Sequence, residues 1–193
     1  MSTPSGYDIT GIDLSDDRYT VVQALIRNKY KATDSTGNVV LRGKQTMFKM
    51  KEEFPFVDGN GNDVFIVKAA GFLDVAGNYV LSDAQTGEEV VVLDNDFSIL
   101  QDTWRLRDPE TGDVLARIDS RGAAVTLARK LLPLGYLIPH KYEISAPDGT
   151  HIGSIAGTFS LKDTYVVTLD NAGEGPREPI LAAAMVIDAI QGN

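Results

Sequence analysis

The groups in this chain best suited to holding a ligand are bases gathered in two segments. Residues 27–51 carry seven of them (Arg27, Lys29, Lys31, Arg42, Lys44, Lys49, Lys51) against one acid, Asp34; residues 121–141 carry four (Arg121, Arg129, Lys130, Lys141) and no acid. Clustered Lys and Arg recognise carboxylate and phosphate through charge-assisted hydrogen bonds. Arg42, Lys44, Arg121, Arg129, Lys130 and Lys141 are therefore the candidate ligand-binding residues, and the expected ligand is anionic or amphipathic, such as a phospholipid head group at a membrane surface. The plainer reading is that such charges, on alternating strand positions, only solvate an outer face. Between Lys130 and Lys141 an apolar run, 131–138, contains Leu131, Leu132, Leu134, Tyr136, Leu137 and Ile138. An apolar cluster with a basic border suits a membrane interface, a plug for one end of the fold, or a protein partner. The last is the alternative functional reading.

Residues for covalent or metal chemistry are scarce. Without cysteine there is no disulfide, thiolate site or cysteine nucleophile. The two histidines, His140 and His151, have no partner at metal-ligand spacing. No GxSxG, P-loop or GxGxxG sequence occurs. The loop from Asp58 to Asp63 begins like a calcium loop, but Asp63 stands where the turn glycine belongs and Ala69 where the closing Glu belongs, which predicts a plain hairpin turn. Asp13 to Asp17, DLSDD, reads as a solvated acidic loop. The expectation is a non-enzymatic protein with no cofactor and no metal.

What positions the bases is a repeated unit: an aromatic residue, an Asp four residues on, a Gly soon after, then a β-branched run. Its copies start at Tyr30, Phe54, Tyr79 and Trp104, with a looser one at Tyr142 and a partial one at Tyr165. Asp closes a turn with its own carboxylate and Gly supplies positive φ, so each copy predicts a hairpin. In the fourth copy Trp104, Leu106, Val114, Ala116 and Ile118 are expected on one face, and Arg105, Arg107, Leu115 and Arg117 on the other. Five or six hairpins imply about 10 to 12 antiparallel strands, and a sheet of that size tends to close. The small residues of GSIAG, 153–157, are expected to let it bend.

The last stretch, EPILAAAMVIDAIQGN, is apolar at every azimuth of a helix, so it needs enclosure on all sides. About 11 helical residues rise only ~16 Å against a hydrocarbon core of ~30 Å, too little to span a bilayer. Asp188 inside it is expected either at the mouth of the enclosure or paired with a base. Acids outnumber bases 27 to 18, which disfavours general nucleic-acid binding. The Asp-rich, cysteine-free composition also fits a salt-loving source. Residues 1–6 are expected to be flexible and 7–193 to form a single domain. MSTPSGYDIT has no basic segment followed by an apolar run, which gives a cytoplasmic expectation.

The serial hairpins, TWRLRDPETGDVLARI, YEISAPDGTHIGSI and above all the closing EPILAAAMVIDAI resemble the LURP-one-related family, within the tubby C-terminal-like superfamily that includes phospholipid scramblases. The likeness covers about residues 18–191. It implies a closed antiparallel barrel of about 12 strands enclosing a central hydrophobic C-terminal α-helix. Tubby relatives bind phosphoinositides through a basic surface, but no lipid-binding or calcium motif here matches residue by residue.

Overall fold

The computed structural model describes residues 7, 9–24, 29–44, 46–48, 51–69, 79–97, 102–120, 141–158, 164–171 and 175–191. Thirteen strands precede one helix: β1 (Arg18–Ala24), β2 (Lys29–Thr33), β3 (Val39–Lys44), β4 (Thr46–Phe48), β5 (Lys51–Asp58), β6 (Asp63–Ala69), β7 (Tyr79–Asp83), β8 (Glu89–Phe97), β9 (Asp102–Arg107), β10 (Val114–Ser120), β11 (Lys141–Ser145), β12 (His151–Thr158), β13 (Thr164–Thr168) and α1 (Arg177–Gln191). Strands consecutive in sequence pair antiparallel, except that β3 and β4 do not pair with each other; β3 pairs instead with β5, and β1 with β13, so the sheet closes into a ring. Strands β3 and β4 act as one. The pairing Gly43↔Phe56 continues into Thr46↔Glu53 without a change of register. Counted that way, the ring is a closed up-and-down barrel of twelve strands.

The repeated unit explains both the wall and its curvature. Its aromatics Tyr30, Phe54, Trp104, Tyr142 and Tyr165 are buried, and Tyr79 packs against the same core. Two residues further on, Ala32, Phe56, Leu81, Leu106 and Ile144 also point inward. At that position all five complete hairpins shift register, leaving one extra residue on the second strand: Val40, Val64, Val90, Leu115 or Ile152. A bulge there bends the strand and strengthens its twist, as closure requires. It also corrects the parity expected for the fourth copy. Val114 lies opposite outward Arg107, while Ala116 lies opposite buried Leu106, because Leu115 is the extra residue.

The turns that follow gather at one end of the barrel. Asp34, Asp58, Asp83, Asp108 and Asp148 each accept backbone N–H groups of their own turn through Oδ1, at 2.7 to 3.0 Å. Each turn then reverses at a glycine with positive φ, such as Gly61 at 96° and Gly112 at 76°. These hydrogen bonds hold the carboxyls below their ordinary range: Asn62 is the main cause for Asp58, Thr36 for Asp34, and the Thr111 and Thr150 amides for Asp108 and Asp148. At Asp83 burial pushes upward, but the Thr86, Thr10 and Gln85 amides outweigh it. A carboxyl depressed in the folded state stabilises it fully above its unfolded pKa and loses that contribution as pH falls through the folded value. Resistance to denaturant is thus expected to hold from neutral pH downward and to drop as pH falls below the ordinary 3.8. Urea titrations at stepped pH test this, and a midpoint that stays level to pH ~2 would contradict it.

The chain before β1 crosses this end as a strap. Ile9 and Leu14 are buried, and Tyr7 Oη and Thr10 N donate to the second oxygens of Asp108 and Asp83, at 2.7 and 2.8 Å. Asp16 accepts from Ser35 N at 2.7 Å. Arg177, at the start of α1, donates to the carbonyls of Leu14 and Asp16 and to the Asp17 carboxylate, while buried Glu178 accepts from Leu14 N. DLSDD keeps Asp13 and Asp17 exposed, as a solvated loop would, yet two of its three acids tie the strap to the barrel and helix, and Leu14 closes the core beneath it.

Helix α1 runs inside the ring. Eight consecutive residues, Ile180 to Ile187, are 0–2% exposed, covering all azimuths of more than two turns. Tyr165 Oη, from β13, donates to the Ala184 carbonyl at 3.2 Å. Among the described residues no helix is long and apolar enough to cross a membrane. The Asp188 side chain, residues 1–6, the apolar run 131–138 and His140 lie outside the described residues.

Candidate functional site

The β2–β3 hairpin brings together bases that the sequence scatters. Its register sets Lys29 opposite Lys44 and Lys31 opposite Arg42. Lys29, Lys31 and Arg42 are exposed, alternating with buried Tyr30, Ala32, Leu41 and Gly43. Directly opposed like charges on adjacent strands destabilise a sheet. Among the described residues Lys29 and Lys31 have no hydrogen-bonding or ion-pair partner, and Arg42 only donates from Nη1 to the Gly59 carbonyl at 2.8 Å. The neighbouring outward positions supply no acid either: Lys31 lies opposite Val22 on β1, and Arg42 opposite Val57 on β5. Four cationic positions thus stand in two alternate rungs on one face, and among the described residues Lys29, Lys31 and Arg42 have no counter-charge. Such a face can accept phosphate or carboxylate oxygens.

Three other basic positions of the wall have acid partners. Arg105 and Arg107, on β9, share Asp94 of β8, with Arg107 Nε 3.0 Å from Asp94 Oδ2. Lys68 pairs with Glu53 at 3.5 Å. Those cations are compensated within the wall.

Of the six residues singled out from sequence, Arg42 and Lys44 fall on the β2–β3 face, Lys44 by register. Lys141 is exposed at the start of β11. The shorter route from β3 to β11 crosses β2, β1, β13 and β12, five strand spacings or roughly 24 Å along the wall. Lys141 therefore does not join this patch. Arg121, Arg129 and Lys130 lie outside the described residues. Lys29 and Lys31 belong to the site and were counted in sequence only as members of a basic segment; the missing information was which cations the hairpin register makes neighbours.

The histidine chemistry resolves differently. His151 sits on the outer wall between two carboxylates, with Nδ1 against Glu143 Oε1 and Nε2 3.4 Å from Asp170 Oδ2. Because its two nitrogens face different carboxylates, the three groups do not converge on one point. No group of three or more His, Cys, Asp or Glu residues among the described residues could hold a metal ion. Asp58 has both oxygens committed to Asn60 and Asn62 in its own turn, as expected of a plain hairpin.

Comparison with known proteins agrees with this architecture. The profile described as LURP-one-related matches residues 39–188. The X-ray structure of a protein from Arabidopsis thaliana superposes with a TM-score of 0.58 at 12% sequence identity, covering 90% of this chain and 91% of that one. At that identity the likeness concerns the fold alone. No curated protein matches the sequence.

Proposed function

We propose, from the premise that the chain belongs to the LURP-one-related family, that its barrel is a non-enzymatic module binding anionic surfaces through the β2–β3 face. The family and the barrel establish a scaffold; the reading rests on Lys29, Lys31 and Arg42, which have no counter-charge among the described residues, with Lys44 set opposite Lys29 by register. Opposed cations cost the folded state a fraction of a kcal/mol per pair, and an anionic ligand would offset that cost. A phospholipid surface suits the flat, two-rung arrangement better than a single small anion, because it presents several phosphates at once. The cytoplasmic leaflet, with its anionic lipids, is the expected place of action.

Flotation with phosphatidylserine vesicles tests the proposal. The protein is expected to co-float at low salt and to be released as salt rises, since screening shortens the reach of these charges. Vesicles of phosphatidylcholine alone should not carry it. At about 1 kcal/mol per base, the double substitution Lys29→Gln, Lys31→Gln is expected to weaken partitioning about thirtyfold while leaving thermal stability equal or slightly higher. Failure to float with anionic vesicles at low salt, or flotation unchanged in the double variant, would overturn it.

A further inference from the structure

We propose that the cleft between the strap and the start of β3 binds a compact zwitterion, one carrying a primary ammonium together with a carboxylate or phosphate. The cleft has a volume of about 430 Å³, within the range of small-molecule sites. One wall is the strap at Gly11, Ile12 and Asp13; the other is formed by the start of β3 with Arg42 and by the β5–β6 turn. The strap is tethered to the β7–β8 and β9–β10 turns through Asp83 and Asp108, and Asp16 holds the β2–β3 turn. Between these anchors it passes the β5–β6 turn with no hydrogen bond among those of the described residues, and the cleft opens there.

The charges on the two walls are opposite and do not pair with each other. Asp13 is exposed, and among the described residues its carboxylate has no hydrogen-bond or ion-pair partner. Arg42 is held in place by the Gly59 carbonyl through Nη1. Among the described residues its Nε and Nη2 edge has no partner, and that edge offers two parallel N–H donors to one oxyanion. Asp58, also in the lining, is committed to its own turn and does not compete for the guanidinium.

A ligand bridging the walls needs an anionic end for Arg42 and a cationic end for Asp13. None of the lining residues is aromatic. Quaternary ammonium groups are recognised by aromatic faces, whereas a primary ammonium donates hydrogen bonds to a carboxylate, which is what Asp13 supplies. The same chemistry occurs in a free α-amino acid and in a phosphoethanolamine head group.

Calorimetric titration of the intact protein with glycine and with phosphoethanolamine tests this. Saturable binding of at least one is expected. Ethanolamine, inorganic phosphate and glycine betaine, each lacking one required end, should bind at least about tenfold more weakly. Arg42→Gln and Asp13→Asn should each weaken the zwitterion by about tenfold or more, with melting curves confirming that both variants fold. Asp13 is not part of the cation patch, so the result with Asp13→Asn separates this site from the membrane-facing one. If phosphatidylethanolamine vesicles compete with phosphoethanolamine, the natural source is a lipid; if glycine binds and vesicles do not compete, it is a free amino acid. Absence of saturation by both zwitterions, equal binding of phosphate alone, or undiminished binding to Asp13→Asn would overturn the proposal.

Discussion

Deleting residues 180–193 is expected to leave a chain that does not fold. The removed segment supplies Ile180, Leu181, Met185, Val186 and Ile187, all 0–2% exposed. Their burial contributes about 8–15 kcal/mol, an upper figure because unfolded chains are already partly collapsed. That is comparable to the whole net stability of an ordinary domain, about 5–15 kcal/mol. The wall cannot compensate by collapsing, since twelve paired strands fix its circumference and single truncations in rigid cores already cost about 2–5 kcal/mol. Size-exclusion chromatography and far-ultraviolet melting would detect the loss. A soluble, monomeric truncation with a cooperative transition would refute the dependence of the barrel on its helix.

Gly153→Val is expected to be the most damaging single substitution in the wall, lowering stability by about 3 kcal/mol. Gly153 is buried on β12, opposite Ile144. A Cβ there would run into the Thr168 carbonyl oxygen and lie 3.1 Å from Leu169 Cα. Those are backbone atoms and cannot swing away. The turn glycines form the natural contrast. Gly61 needs its positive φ of 96° but has open space around the missing Cβ, so Gly61→Asn, which tolerates that conformation, should cost well under half as much. Denaturant melts of both variants decide the matter; equal losses would mean that conformation rather than space limits Gly153.

The parts of this fold that were legible in the sequence are those whose causes are local. An Asp that accepts its own turn's amides and a Gly that must take positive φ announce hairpins within ten residues, and an all-apolar helix announces that something surrounds it. The twelve-strand closure follows from these. The bulge at Leu115 was not legible, because alternation presumes one residue per rung and the extra residue leaves no signature in residue type.

The candidate site divides along the same line. A basic segment is evident by counting, which brought Arg42 and Lys44 forward. That Lys29 and Lys31 complete the face, and that Lys141 stands on a different part of the wall, are matters of register and strand order. The tethering of the strap was not legible because its anchors are remote: Leu14 and Asp16 meet Arg177 across more than 160 residues of sequence. Nothing local in DLSDD distinguishes a tethered carboxylate from a free one.

The central claim is that α1 belongs to the barrel's cooperative core, which leaves the outer face and the strap for the proposed binding. Native-state hydrogen exchange of the α1 amides measures this directly. The amides of Leu181 to Ile187 should exchange only through global unfolding, with the same free energy and denaturant dependence as the buried strand amides of Leu93, Leu106 and Ile118. Exchange of the helix through a smaller, denaturant-independent opening, while those strands stay protected, would contradict the account.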